Sequence, residues 1–413
     1  MATNDAAVPC PFCGLGCDDL SLTGGSDSPR LEAAGCPKAE EGFSLALGAP
    51  AATPAIAGRR CTLDEAVEHA GRLLAEARLP LFAGLAGDLL DIQAALRLAE
   101  AAGGVVDHRN GAGLTAAAAA LQAGGLMTTS LGDARNRADL WLLVGDVPRR
   151  FPRITERLLE PRERLHMDDM PEALVIGEAP PAGTSGGAFE HLPVPAGGLH
   201  DFIQVLRARL AGRHLDGEPD AGIEALVQRL GNARFPVIVY APAALGDHGD
   251  LVIRALGGLV RTLNDSGRAA LLPLGGGDGD VSAHQAAAWH SGFGMGTSFH
   301  SGVPEYDPAL WSTGRLLASG EADLLVWVSS LDAAPPPATA VPTLVFGHPA
   351  SRFDATPELF VPLAVPGVHR HGVVHRGDGP ALLPLKALTA SELPAGAEVF
   401  ERLAAGLGTE VQS

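Results

Sequence analysis

Near its start the chain reads Cys10-Pro-Phe-Cys13-Gly-Leu-Gly-Cys17-Asp-Asp19, and a second segment, Ala34-Gly-Cys36-Pro-Lys38, follows closely. These two segments hold four of the five cysteines in the 413-residue chain. Three thiols share one turning loop, and the fourth comes from a neighbouring segment. Glycines between the thiols let backbone N–H groups approach sulfur, as iron–sulfur sites require. The pattern therefore predicts metal ligands at Cys10, Cys13, Cys17 and Cys36, and favours a four-iron, four-sulfur (4Fe–4S) cluster.

Two other states of these cysteines stay open. Zinc bound by four cysteines usually shows two C-x-x-C pairs, and this sequence has one, between Cys10 and Cys13. Four thiols that hold no metal are the second alternative. Disulfides are not expected, because the amino terminus has no export signal and the cytoplasm keeps thiols reduced. We expect a cytoplasmic protein.

The composition indicates an acidic α/β protein with small side chains in its core. Hydrophobic residues make up 46% of the chain but aromatic residues only 5%, and 52 residues are glycine. The net charge of -18 argues against a nucleic-acid partner, because binding to phosphates rests on clustered lysine and arginine. The longest weakly charged run, Gly111 to Met127, is shorter than the roughly 18 to 20 apolar residues of a membrane span. No membrane partner is expected.

Apolar strands alternate with helical segments along most of the chain. The strands are predicted at residues 80–85, 104–107, 139–146, 173–177, 235–240, 269–274, 323–329 and 343–347. Strands that are apolar throughout and separated by helices predict parallel sheets covered on both faces. We therefore expect Rossmann-like α/β domains. The glycine run at 275–280 follows one of these strands, where open sheets place ligands, but an ordinary surface turn is the better interpretation.

The pattern divides into four predicted parts. Residues 1–60 form a small cysteine-rich unit that ends in a proline- and alanine-rich connector. A first α/β domain combines residues 61–160 with 305–365, and a second α/β domain, residues 161–304, is inserted into it. Residues 366–413 form a C-terminal hairpin and tail.

The ordered set of motifs resembles the molybdopterin-dependent oxidoreductase superfamily, and most of all the B subunit of formylmethanofuran dehydrogenase. The resemblance covers most of the chain. It rests on the four cysteines with Asp18-Asp19, on Ala101-Ala-Gly-Gly-Val-Val-Asp107, on Gly132-Asp-Ala-Arg-Asn-Arg-Ala-Asp-Leu140, and on Val365-Pro-Gly-Val ahead of Arg376-Gly-Asp-Gly379. It implies a molybdopterin-oxidoreductase-like fold without the C-terminal barrel, which the resemblance places on another polypeptide.

One position departs from that family. There, a cysteine between the Gly-Gly-Val-Val-Asp strand and the next helix ligates tungsten or molybdenum. Here the segment reads Asp107-His-Arg-Asn-Gly-Ala-Gly113-Leu-Thr115, and the resemblance places the ligand position at Gly113. Glycine has no side chain to bind a metal, so we expect no tungsten or molybdenum pterin. An active dehydrogenase with an unusual ligand, such as His108, is the alternative.

The loss of this ligand makes the chain similar to the B subunit of the bacterial formyltransferase/hydrolase complex of methylotrophs. The resemblance implies a non-redox scaffold subunit in one-carbon (formaldehyde) oxidation. The expected partners are an amidohydrolase-type subunit, a formyltransferase subunit and a further subunit. Such a complex converts formyl-tetrahydromethanopterin to formate, and a methanofuran-type carrier, held by the complex, shuttles the one-carbon unit.

A basic patch lies near the carboxy terminus of this acidic chain. It contains His369, Arg370, His371, His375 and Arg376. The local sequence has no carboxylate or cysteine support for a metal site there. If the carrier has a polyglutamate arm, as the resemblance implies, Arg370 and Arg376 are the residues expected to contact it.

Overall fold

The fold of the chain is a mixed α/β fold with parallel sheets, seen in a computed structural model. The structure describes residues 7–23, 30–32, 35–159, 165–166, 170–178, 189–195, 197–216 and 220–410. Two compact units divide the chain: residues 1–111, 277–376 and 381–413 form the first unit, and residues 112–276 and 377–380 form the second.

The strands in chain order are β1 Ser21–Thr23, β2 Arg30–Glu32, β3 Ala55–Ile56, β4 Arg59–Arg60, β5 Pro80–Ala86, β6 Val105–Val106, β7 Leu140–Val144, β8 Glu172–Gly177, β9 Glu190–Pro193, β10 Pro236–Tyr240, β11 Ala270–Pro273, β12 Thr297–Ser298, β13 Glu305–Tyr306, β14 Leu324–Ser329, β15 Thr343–Gly347, β16 Leu359–Pro362, β17 Gly372–His375 and β18 Leu382–Leu385.

The α-helices are α1 Pro37–Leu47, α2 Leu63–Glu76, α3 Leu89–Ala101, α4 Gly111–Gly124, α5 Leu131–Arg137, α6 Val147–Arg150, α7 Ile154–Leu159, α8 Leu199–Leu210, α9 Ala221–Asn232, α10 Gly249–Asn264, α11 Asp280–Ser291, α12 Thr313–Ser319 and α13 Gly396–Glu410. One 3-10 turn spans Pro242–Ala244.

A nine-stranded sheet forms the centre of the first unit. Its order is β13-β12-β6-β5-β14-β15-β16-β3-β4, and the inner strands β6, β5, β14, β15 and β16 run parallel. Every residue of β5, β14 and β15 is buried. The predicted parallel sheet is therefore present, and loops that border a cleft follow its strands at their carboxyl ends.

Helices of the first unit begin where the sequence supplies caps. Thr62 and Glu65 form a reciprocal capping box at the start of α2. The carboxylate of Asp88 accepts the Asp91 N–H at the start of α3. The C-terminal helix α13 packs on α3, and Phe400 meets Phe346 of β15 edge to face at 5.2 Å. The sequence pattern predicted only a hairpin and tail here and did not predict this helix.

The second unit is built on a five-stranded sheet of order β11-β10-β7-β8-β9, in which every neighbouring pair is parallel. Its core includes the buried strand residues Leu142, Ile176 and Ile238, and the apolar face of α10 covers them with Ile253 and Leu256. The predicted strands at 139–146, 173–177 and 235–240 thus belong to one sheet.

The two units divide the chain at other positions than the predicted domains. The second unit begins at residue 112 instead of 161 and its main part ends at 276 instead of 304. The second unit begins earlier because β7 pairs with β8 and β10 and not with strands of the first unit. It ends earlier because β12 pairs with β6 in the sheet of the first unit. Residues 1–60 fall in the first unit, where β3 pairs with β16 and α1 begins directly after Cys36. No helix in the described part of the chain is long and apolar enough to cross a membrane.

Candidate functional site

The cysteine loop is closed by backbone hydrogen bonds. Cys10 N–H donates to the Cys17 carbonyl at 2.8 Å, and the outer pair Val8 and Leu20 forms an antiparallel bridge. Gly14 and Gly16 lie in the left-handed region at φ 78° and 64°, which glycine adopts without strain. A Cβ on Gly16 would overlap the Leu383 side chain. The loop therefore depends on glycine both for its turns and for its close packing.

All four cysteines of the predicted metal site are buried and lie within electrostatic reach of one another. Their exposed fractions are 4 to 6%. Burial raises the pKa of the Cys10 thiol well above its ordinary value, and the neighbouring Cys13 thiolate raises it further. Burial also raises the pKa of Cys13, while the Leu15 N–H opposes that shift. Without a metal, the Cys10 and Cys13 thiols are neutral at pH 7.

The donor set suits a soft metal, but the sulfur atoms are not arranged around one. Among the residues that the structure describes, no group of three or more histidine, cysteine, aspartate or glutamate side chains is arranged to hold a metal ion. None of the five cysteines forms a disulfide. Metal binding at Cys10, Cys13, Cys17 and Cys36 stays a prediction.

The burial of these thiols predicts a selective reaction with alkylating reagents. Cys61 is half-buried beside the start of α2, while the other four cysteines are buried. Iodoacetamide should label Cys61 alone in the folded, metal-free chain, and all five cysteines after denaturation. Mass spectrometry of the digested protein measures the labelling, and Cys61→Ser is the control. Equal labelling rates at Cys61 and Cys10 would contradict the packing of the cysteine loop.

A cleft of about 310 Å³ lies beside the cysteine loop in the first unit. Its walls come from α1, from the glycine loop ahead of α11 and from the loops after β14 and β15. The polar side chains in its lining are Lys38, Glu41, Asp278, Asp332 and His348. Open parallel sheets bind ligands at the carboxyl ends of their strands, and this cleft occupies that edge.

The glycine loop reaches the cysteine loop directly. Gly277 has φ 91°, and a Cβ there would lie 2.7 Å from the Phe12 carbonyl oxygen. Asp278 is a non-glycine residue in the left-handed region at φ 56°. Its carboxylate and that of Asp332 both pair with Arg109, which follows β6. The segment that the sequence pattern indicated as an ordinary turn therefore forms part of the cleft wall.

Two buried histidines near this cleft are held neutral. Burial lowers the pKa of His108 to about 3, and its Nδ1 accepts the Asn110 N–H at 2.9 Å. Burial lowers the pKa of His348 to about 4, although the nearby Asp332 carboxylate opposes the shift. A hydrogen bond between His108 and the Asp278 backbone opposes the lowering of the His108 pKa. Both rings can accept or donate a hydrogen bond but carry no charge at pH 7.

The position that the resemblance assigned to the metal ligand is sterically closed. Gly113 lies in the first turn of α4, which begins at Gly111. A Cβ on Gly113 would lie 2.6 Å from both the backbone N and the Cα of Ala243, in the 3-10 turn. Contacts this short require a backbone shift. A cysteine therefore does not fit at this position.

Arg370 forms ion pairs with two buried carboxylates of the first unit. Its guanidinium contacts the Asp88 carboxylate at 2.8 Å and the Asp91 carboxylate at 2.5 Å, and both aspartates are fully buried. Asp91 also accepts the Ala397 N–H at the start of α13. The arginine neutralises two internal carboxylates, and its predicted contact with a carrier stays a prediction.

Three other residues of the basic patch, His369, His375 and Arg376, each have separate contacts. His369 Nδ1 accepts the Val365 N–H, and its Nε2 lies 3.2 Å from the Ala46 carbonyl oxygen. The His375 ring packs on Trp289 with the ring centres 5.7 Å apart. Arg376 follows β17, and its backbone N–H donates to the Ala381 carbonyl. The predicted carrier contact at Arg376 stays a prediction.

Sequence analysis missed Asp332 and His348 as members of the cleft. Both follow buried parallel strands, β14 and β15, within three residues. Polar residues directly after such strands meet at one edge of a sheet. This signal was available in the sequence and could have identified them.

Comparison with known proteins gives related chains of two kinds. The chain is 33% identical to the B subunit of the formyltransferase/hydrolase complex of Methylorubrum extorquens over 86% of its length and 96% of that protein. It is 26% identical to the B subunit of a tungsten-containing formylmethanofuran dehydrogenase of Methanocaldococcus jannaschii, over 94% of each chain. No family model matches the sequence.

A solved structure supports the same relationship. The chain matches one polypeptide of the crystal structure of the M. extorquens formyltransferase/hydrolase complex, in complex with methylofuran, with a TM-score of 0.77 and 32% identity. The match covers 87% of this chain and all of the other. With this identity over almost the whole of its relative, the chain belongs to the family of formyltransferase/hydrolase complex B subunits.

Proposed function

We propose that this chain is a non-redox scaffold subunit of a formyltransferase/hydrolase complex. The complex converts formyl-tetrahydromethanopterin to formate by way of a methanofuran-type carrier, in one-carbon oxidation. Formyl transfer and hydrolysis move no electrons, so neither step requires a redox metal in this subunit. The relationship to the B subunit of the M. extorquens complex supports the assignment.

The closed space at Gly113 carries the non-redox part of the proposal. An active tungsten or molybdenum enzyme of the related dehydrogenase type would need a ligand at this position. The 2.6 Å approach of the Ala243 backbone excludes a side chain there. His108, the alternative ligand, is buried in the first unit. The residues present do not fit a pterin-bound metal with a protein ligand at position 113.

The test uses the chain purified together with its natural partner subunits. We expect the complex to release formate from a formylated carrier and to contain no tungsten or molybdenum above background. We also expect no reduction of a viologen dye by formate. Stoichiometric tungsten or molybdenum together with dye reduction would instead support the dehydrogenase alternative.

We further propose that the partner subunits include an amidohydrolase-type hydrolase and a formyltransferase. The multi-subunit character of the relative's complex supports partners in general, and the resemblance supports these two types. A tagged copy of this chain should retain both activities through affinity purification. If neither activity is retained through the purification, the result would contradict the scaffold role.

For the four cysteines we propose a 4Fe–4S cluster, with zinc and free thiols as the alternatives. Four buried thiols support this, as do N–H groups of Phe12 and Leu15 directed at the sulfurs of Cys10 and Cys13. Loading requires the sulfur atoms to move, since they are not arranged around a metal. Anaerobic reconstitution with iron and sulfide should give visible absorption that Cys36→Ser abolishes. Binding of zinc alone, or of no metal, would reject the cluster.

Arg376 is our proposed contact for the anionic part of the carrier. Arg376→Glu should lower the amount of carrier that co-purifies with the complex, whereas Arg97→Glu, on the exposed face of α3, should not. Unchanged carrier content in the Arg376 variant would remove this proposal.

A further inference from the structure

A basic groove of about 280 Å³ lies in the second unit. Its walls are the end of α4, one face of α8 and one face of α10. The charged and polar residues in its lining are His200, Gln204, Arg207, Arg254 and Arg261. No aspartate or glutamate of the described residues contributes to the lining. In a chain of net charge -18, such a concentration of positive charge calls for an explanation.

The three arginines of this groove are not engaged in ion pairs within the described residues. Other arginines of the same unit are: Arg209 on α8 lies 3.2 Å from Glu224, and Arg229 on α9 lies 2.6 Å from Glu190. The only side-chain hydrogen bond that Arg207 makes in the described part of the chain is with Gln204, at 3.5 Å. The guanidinium groups of the groove are therefore available to an external anion.

Small residues shape the groove around these guanidinium groups. A Cβ on Gly258 of α10 would lie 2.9 Å from Arg207 Nη1, so the absence of a side chain lets Arg207 lie against α10. A Cβ on Gly124, at the end of α4, would lie 3.7 Å from Arg261 Nη1. Arg207 and Arg261 thus border a common space, and the approach of Arg207 depends on glycine at position 258.

The spacing of the charges indicates the size of the ligand. Arg254 and Arg261 are seven residues apart on α10, which is two helical turns and about 10 Å along one face. Arg207 adds a third charge from the neighbouring helix. Positive charge spread along a helix face in this way suits several linked acidic groups better than a single carboxylate or phosphate. A flexible chain of several acidic groups can contact all three.

We propose that this groove binds a multivalent anion whose acidic groups are spread along a chain. Arginine binds carboxylate and phosphate oxygens alike through paired N–H donors. Oligocarboxylates and oligophosphates therefore share the required chemistry. Along the same wall, Gln204 and His200 lie one turn apart on α8 and contact each other through Gln204 Nε2 and His200 Nε2 at 3.3 Å.

The test measures binding of two probes to the purified full-length chain by calorimetry. The probes are a tetraglutamate peptide and tripolyphosphate, with acetate and inorganic phosphate as single-anion comparisons. We expect at least one long probe to bind, and its affinity to fall steeply with added salt. The probe that binds more tightly identifies whether carboxylate or phosphate is preferred.

Three groove variants and one control variant make the proposal falsifiable. Arg254→Gln and Arg261→Gln should each weaken binding of the long probe about tenfold, as expected for loss of one charge-assisted contact. Gly258→Ala should also weaken it, because it displaces Arg207 without changing the charge. Arg209→Gln removes the same charge outside the groove and should have no effect.

Two outcomes would overturn the proposal. One is that neither long probe binds more tightly than the single anions. The other is that Arg209→Gln weakens binding as much as the groove variants do, which would indicate general charge attraction. Arg254 and Arg261 are exposed, so their variants should fold; unchanged circular dichroism checks this.

Discussion

Replacing Arg370 with methionine should lower the free energy of unfolding by about 3 to 5 kcal/mol near pH 8. The change leaves Asp88 and Asp91 buried side by side without their cation, although methionine preserves much of the apolar volume. Breaking a buried charge network by removing one partner is costly because the remaining charges stay desolvated. Urea denaturation followed by circular dichroism measures the loss.

The loss should depend on pH in a defined direction. Burial, reinforced by the Asp88 charge, raises the pKa of Asp91, and Arg370 opposes that rise. A raised carboxyl pKa gives stability that is present below the unfolded value of about 4 and is lost as the pH rises through the folded value. Without Arg370 the pKa rises further. The deficit of the variant should therefore be smaller at pH 5 than at pH 8.

An exposed arginine provides the matched control for this variant. Arg97 on α3 pairs with Glu401 of α13 at 3.0 Å, and both side chains are about half exposed. Arg97→Met should cost under about 1 kcal/mol, as exposed ion pairs do. Equal losses of stability for Arg97→Met and Arg370→Met would show that the buried ion pairs of Arg370 contribute no more than an exposed ion pair does.

Replacing Gly113 with alanine should destabilise the second unit by about 1 to 3 kcal/mol, the usual cost of overpacking. The added methyl group would meet the Ala243 backbone at 2.6 Å, and backbone cannot rotate away as a side chain can. Gly113→Cys should be at least as costly and should not recruit tungsten or molybdenum. Thermal unfolding and metal analysis of both variants provide the measurements.

The same change elsewhere in the second unit separates sterics from helix propensity. A Cβ on Gly231 of α9 would have no heavy atom within 4 Å. Gly231→Ala should stabilise the chain by about 0.5 to 1 kcal/mol, because alanine favours a helix over glycine. A stabilising Gly113→Ala would mean that the position is open, and the non-redox proposal would lose its structural support.

Local sequence patterns located the main buried strands but did not show how they pair, and they missed one helix. The strand at Leu140–Val144 was predicted from its apolar run, yet it was assigned to the wrong sheet. The local sequence of an apolar strand does not show which strands it pairs with, because packing between residues far apart in the sequence determines the parallel partners. The helix at Gly396–Glu410 was missed altogether.

The predicted site residues also show that local sequence does not reveal contacts between distant residues. Cysteine spacing correctly placed four thiols in one buried neighbourhood, since the spacing acts over a short stretch. The ion pairs of Arg370 were not predicted, because its partners, Asp88 and Asp91, lie 282 and 279 residues away in the sequence. At Gly113 the sequence predicted that a metal ligand is missing, but only the fold shows that Ala243 occupies the space.

The pairing of β5 with β14 has a consequence for how a cell makes this protein. Asp323 lies directly before β14. Its carboxylate accepts the N–H of Leu79, the residue before β5, which is 244 residues earlier in the chain. At roughly 5 to 20 residues per second, translation of the intervening chain takes about 10 to 50 seconds. During that time an apolar strand has an unpaired edge, which invites aggregation. Expression at low temperature or with added chaperones should therefore raise the yield of folded chain.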